Sequence, residues 1–105
     1  MAYDRLVEKL TVENLWLYIL RLLKEKPLYG YEIRKRIQER FDFSPAVITV
    51  YVVLYKLQRE GLVKKVSVKG DNSAQRKYYS ITREGSEMLE AGKKFFESTF
   101  QRVFS

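Results

Sequence analysis

The chain contains no cysteine and no histidine. Without cysteine it has no disulfide and no thiolate metal site. Without histidine it lacks the commonest general base, the commonest metal ligand and the side chain that titrates near neutrality. Proline and glycine are scarce: two and five in 105 residues leave no linker and no glycine-rich phosphate loop. The mainly apolar runs, Leu15–Leu23 and Ala46–Tyr55, are too short to span a bilayer. Met1–Leu10 carries Asp4, Arg5, Glu8 and Lys9 where a signal peptide would be apolar. A cytoplasmic protein with no membrane association and no cofactor is expected. Glu32, Glu60 and Glu84 fall on predicted solvent faces and make no acid–base pair, so an enzyme is the weakest reading.

Positive charge is abundant and unevenly placed. Residues 34–83 hold twelve Lys/Arg against four Asp/Glu, a net of +8. Residues 1–33 balance, residues 84–105 carry −1, and the whole chain carries +7. A basic surface concentrated in this way suits a polyanion.

Periodicity predicts a first helix from Thr11 or Asn14 to about Lys24, with a broad apolar face of Leu15, Trp16, Ile19, Leu20, Leu22 and Leu23. A second helix runs from Leu28–Gly30 to Phe41, burying Ile33, Ile37 and Phe41. Gly30 lowers helix propensity there, which points to close approach of a neighbouring backbone. Ser44-Pro45 has the composition of a helix cap and first turn. The β-branched run that follows favours a strand by composition. Val47, Val50, Tyr51, Leu54, Leu57 and Gln58 nevertheless share one helical face, so a third helix ended by Gly61 is expected. Leu62–Val68 and Arg76–Ile81 alternate like strands around a turn at residues 69–75, predicting a hairpin. Thr82 caps a last helix to Phe104, about 35 Å long. The tyrosines Tyr29, Tyr31, Tyr78 and Tyr79 are assigned to packing.

Helix, helix, helix, hairpin, helix is the order of a mainly α fold with a small β-hairpin (α+β). It is a winged helix-turn-helix with a C-terminal dimerisation helix, divided at residues 1–82 and 83–105. The expected partner is double-stranded DNA. The third helix turns Ile48, Thr49, Val52, Lys56 and Arg59 outward, with Tyr55 at the edge. Lys64, Lys65, Lys69, Arg76 and Lys77 arm the hairpin. Arg34, Lys35, Ser44 and Tyr51 complete the expected DNA-contacting set. Leu89, Phe95, Phe96, Phe100, Val103 and Phe104 make a stripe too apolar for a soluble monomer's surface. With Leu15, Trp16 and Ile19 of the first helix, that stripe is the expected interface of a homodimer.

Leu15–Leu23 followed by Pro27-Leu-Tyr-Gly-Tyr-Glu-Ile33 resembles the PadR family of transcriptional regulators. So do Thr49-Val-Tyr51, Leu54-Tyr-Lys-Leu57, Glu60-Gly-Leu62, Arg76–Thr82 and Glu84-Gly85, in that order and spacing. The resemblance implies a dimer, repression as the commonest activity, and often a small hydrophobic or aromatic inducer. By position, Thr49 and Tyr51 match the Thr and Tyr that face DNA in the family. Many members have Gly before that Thr and Pro after that Tyr. Here Ile48 and Val52 stand instead, so the family's operator preference does not transfer. A non-specific architectural DNA binder and a winged-helix protein-interaction module are the competing readings.

Overall fold

The protein is described from a computed structural model covering residues 1–71 and 76–105. Among the described residues, five α-helices and a short 3-10 turn pack around a three-stranded antiparallel sheet. They are α1 (Ala2–Leu10), the turn Val12–Asn14, α2 (Leu15–Leu23), β1 (Leu28–Tyr29), α3 (Gly30–Phe41), α4 (Val47–Arg59), β2 (Val63–Val66), β3 (Tyr78–Ile81) and α5 (Arg83–Phe104). The sheet order is β1-β3-β2, with Leu28 opposite Tyr79 and Lys64 opposite Ser80. Among the described residues no helix is long and apolar enough to cross a membrane. No group of acidic side chains there has metal-binding geometry.

The core is aliphatic. Leu15, Ile19, Leu20, Leu22 and Leu23 of α2 meet Ile33 and Ile37 of α3, Val50, Leu54 and Leu57 of α4, and Val63 and Tyr79 of the sheet. Burying each Leu or Ile contributes about 1.5–3 kcal/mol, and that outweighs the weak helix propensity of α4's β-branched residues. The segment from Val47 is therefore a helix, as its periodicity predicted.

Its start differs from the prediction. Ser44 does not cap α4, and Pro45 is not its first residue. Pro45 is fully buried, and its carbonyl accepts a hydrogen bond from Arg34 Nε at 3.0 Å. Docked in this way, the chain stays extended through Ala46 (φ −64°, ψ 143°), which becomes the cap residue. The end of α4 is as expected. Gly61 takes φ +77°, the Leu62 N–H donates to the Leu57 carbonyl, and the chain turns into β2.

Two elements were not anticipated. α1 buries no residue and leaves Tyr3, Leu6 and Val7 exposed. It joins the body where the Tyr18 hydroxyl donates to the Leu10 carbonyl, and the Tyr18 ring meets Phe41 and Phe43 edge-on, each at 5.0 Å. β1 is two residues long and exists through its pairing with β3, so α3 begins at Gly30. The two hairpin strands, β2 and β3, are shorter than alternation predicted. Part of the expected turn, residues 72–75, lies outside the described residues.

The last helix is tied to the hairpin at its start. Thr82 caps it as predicted, accepting from the Gly85 N–H at 3.0 Å, and its hydroxyl donates to the Gly61 carbonyl. A Cβ on Gly85 would stand 2.1 Å from the Leu62 carbonyl oxygen. About two turns later α5 crosses α2, where a Cβ on Gly92 would meet Leu17 at 2.9 Å. Beyond that crossing no residue of the helix is fully buried.

Candidate nucleic-acid interface

α4 sorts its side chains sharply. Val50, Leu54 and Leu57 are buried, while Ile48, Val52, Tyr55 and Arg59 follow one another at steps of four, three and four along the outer face. Ile48 is 70% exposed, Val52 46% and Tyr55 59%. Arg59 stands over the Tyr55 ring, 5.8 Å from its centroid. Lys56 is exposed beside this strip and Thr49 is half-buried at its flank. The expected outward set is thus brought together, and Tyr55 belongs fully to it instead of marking its edge. Apolar side chains occupy the N-terminal half of the strip and cations the C-terminal half.

Tyr51 lies on the other flank, partly withdrawn. Its ring packs on Gly30 at the start of α3 and meets Tyr31 edge-on at 6.2 Å. Burial, together with the surrounding tyrosines, raises the Tyr51 phenol above its ordinary pKa. The neighbour that requires glycine at position 30 is therefore an aromatic ring, not a backbone. Tyr31 is mostly exposed, so its assignment to packing is corrected. The Tyr29 N–H is taken by the Glu32 carboxylate, which closes the start of α3. Arg34 is half-buried and braces Pro45, so the structure gives it a positioning role ahead of α4. Lys35 and Ser44 are exposed.

The hairpin cations do not form one cluster. Lys64 and Lys65 are adjacent on β2, so they project from opposite faces of the sheet. Lys65 shares the face of its partner Tyr79, beyond the edge of the core, and Lys64 stands on the outer face opposite Ser80. Lys69 and Lys77 are exposed. Arg76 is held in place: its guanidinium lies 4.8 Å from the Tyr29 ring centroid and 3.5 Å from Asp71. Tyr29 first, and then Asp71, hold it more firmly protonated. The same Asp71 carboxylate accepts from the Tyr78 hydroxyl, which raises the Tyr78 pKa.

The expected subunit-contact set divides. Leu15 and Ile19 are buried in the subunit's own core, so neither is available to a second chain. Trp16 is half-buried and reaches the Gly92 crossing, and Leu89 packs on the core. The rings of Phe96, Phe100 and Phe104 follow one another in tilted contact, with centroids 5.7 and 6.3 Å apart. Phe95, Phe100, Val103 and Phe104 are exposed, Phe104 to 81%. Between α2 and α5 runs an apolar groove of about 710 Å3, lined by Leu17, Tyr18, Phe41, Leu89, Phe96 and Phe100, with Arg21, Lys24 and Lys93 partly balanced by Glu90 and Glu97.

A helix pair in which the second helix exposes one face and runs directly into a short antiparallel sheet defines a winged-helix domain. Residues 19–91 match the model of the transcriptional regulator PadR-like family. The chain belongs to that family, whose members are transcriptional regulators and not enzymes. A transcriptional regulator from Clostridium thermocellum is 31% identical, with TM-score 0.75 over 85% of this chain and 88% of that one. A PadR family regulator from Eggerthella lenta is 28% identical, with TM-score 0.76 over 98% and 93%. An uncharacterised protein of Lysinibacillus sphaericus is 36% identical over 73 residues, 68% of this chain and 67% of that one.

Proposed function

We propose that the protein is a homodimeric DNA-binding transcriptional regulator acting as a repressor. The observation that carries this reading is the solvent-facing strip of α4. Ile48, Val52 and Tyr55 stand exposed there, and Lys56 and Arg59 follow them. A major groove accepts such a helix, with its N-terminal turns against base edges and its C-terminal cations against phosphates. The basic hairpin follows α4 through Gly61 and serves as the wing. Residues 1–82 then form the DNA-binding part and residues 83–105 the dimerisation helix.

Dimerisation rests on the distal half of α5. Four large apolar side chains there, and three on α1, face solvent in the single chain. Packing them against a second copy removes a patch that a soluble monomer does not normally carry. Two recognition helices would then address half-sites about 34–36 Å apart. The groove between α2 and α5 suits a small hydrophobic or aromatic inducer, whose binding would bear on the phenylalanine-lined surface used by the dimer.

One observation favours a second reading, a non-specific architectural DNA binder: no side chain from Val47 to Tyr55 is a hydrogen-bonding fork. The two readings separate in a competition assay. A regulator prefers its selected duplex over random competitor by about a thousandfold or more, and an architectural protein by less than about a hundredfold. Two chains per duplex are expected. Absence of duplex binding overturns both readings and leaves a protein-interaction module.

A further inference from the structure

We propose that α4 reads its operator chiefly through the 5-methyl groups of thymine, with Ile48 and Val52 as the specificity-determining residues. This rests on the DNA-binding reading above and goes further by naming what the helix recognises. Base pairs are told apart in the major groove by bidentate bonds from Arg, Lys, Asn or Gln, by carboxylates accepting from cytosine, or by apolar contact with the thymine methyl. The first two turns of α4, Val47–Val53, contain none of the hydrogen-bonding types. Thr49 supplies one hydroxyl, which bonds donors and acceptors alike and discriminates little. Tyr51 is turned toward Gly30 and Tyr31. What remains pointing outward is the pair Ile48 and Val52, 70% and 46% exposed.

These two residues are one turn apart, about 6 Å along the helix axis. That length spans about two base-pair steps of the duplex. The pair therefore reaches two thymines on adjacent or next-adjacent base pairs, on one strand or across strands. The cations that follow, Lys56 and Arg59, and the net charge of +8 over residues 34–83 complement DNA and not an apolar protein partner. The same arrangement explains how a helix without hydrogen-bonding forks can still be selective. Each methyl removed from water by Ile48 or Val52 adds affinity, and cytosine at that position leaves the apolar side chain facing a polar amine.

The test uses the full chain and a duplex selected from a random-centre library. Each thymine of the selected duplex is replaced in turn by deoxyuridine, which lacks only the 5-methyl. The proposal expects a weakening of about fourfold at each contacted thymine, the size set by burial of one carbon group, and no effect elsewhere. Ile48→Ala and Val52→Ala should each erase the thymine–uracil difference at their own position. Both sites are exposed, so both variants should fold. If the selected duplex is preferred a thousandfold over competitor, yet every uracil replacement leaves affinity within about 1.5-fold, the proposal is overturned and the regulator reading stands. If no duplex is enriched over competitor, sequence-specific regulation falls together with the proposal.

Discussion

The Tyr51 ring stands where a side chain at position 30 would begin: a Cβ on Gly30 would lie 2.4 Å from Tyr51 Cζ. This contact sets how closely α4 approaches the start of α3. Alanine at position 30 must expel the ring. The gain in helix propensity from Gly to Ala, about 1 kcal/mol, is then offset by lost packing. Gly30→Ala should therefore destabilise the wild type modestly yet stabilise a Tyr51→Ala background. Urea unfolding of the four proteins should give a coupling of about 1–3 kcal/mol. Additivity within about 0.3 kcal/mol would show that the two residues act independently.

Gly85 is a stricter case, because its neighbour is backbone. The Leu62 carbonyl oxygen, 2.1 Å from a Cβ at position 85, cannot swing aside as a ring can. The Leu62 carbonyl also accepts from the Thr82 N–H, so the whole junction of α4, β2 and α5 must open. Gly85→Ala should cost about 2–3 kcal/mol or more, as overpacking does, and lower the melting temperature markedly. A variant as stable as the wild type would mean that the junction is looser than described.

The phenylalanines at the end of α5 lead to an oligomerisation prediction. Phe100 and Phe104 are exposed in the single chain, so charge there should leave the folded subunit intact. Phe100→Glu with Phe104→Glu should yield monomers by sedimentation, with the helical spectrum largely kept. A variant that remains dimeric would move the subunit contact elsewhere.

Four tyrosines shape the stability at alkaline pH. Burial raises the pKa of Tyr18, Tyr51 and Tyr79, and the hydrogen bond to Asp71 raises that of Tyr78, all from 10.0. Each raised value means that the folded chain holds its proton more tightly than the unfolded one. Their contribution is complete below pH 10 and is lost as pH rises through the raised values. With no histidine in the chain, stability should be flat from about pH 6 to 9. Denaturant midpoints across pH 6–11 check this, and a step between pH 6 and 8 would contradict it.

Much of the fold was readable because its strongest signals are local. The period of Val50, Leu54 and Leu57 identified α4 as a helix against its β-branched composition, and Gly61 and Thr82 marked real ends. What escaped depends on partners distant in sequence. β1 exists through β3, Arg34 reaches Pro45 eleven residues on, and the ring over Gly30 comes from another helix. The cap at Ser44 failed because burial of Pro45 outweighed a local preference. Leu15 and Ile19 show a different limit: a broad apolar stripe does not tell which side faces its own core. The outer strip of α4 was legible from a helical wheel, whereas the separation of Lys64 from Lys65 needed the strand register.

The central claim is that this surface neutralises DNA phosphates. Its most direct test is duplex affinity measured against salt concentration. About eight phosphates contacted per dimer predict that log K falls with log salt at a slope near −7. Lys56→Ala should make that slope shallower by about two, one for each subunit. An affinity that does not change with salt would contradict the account.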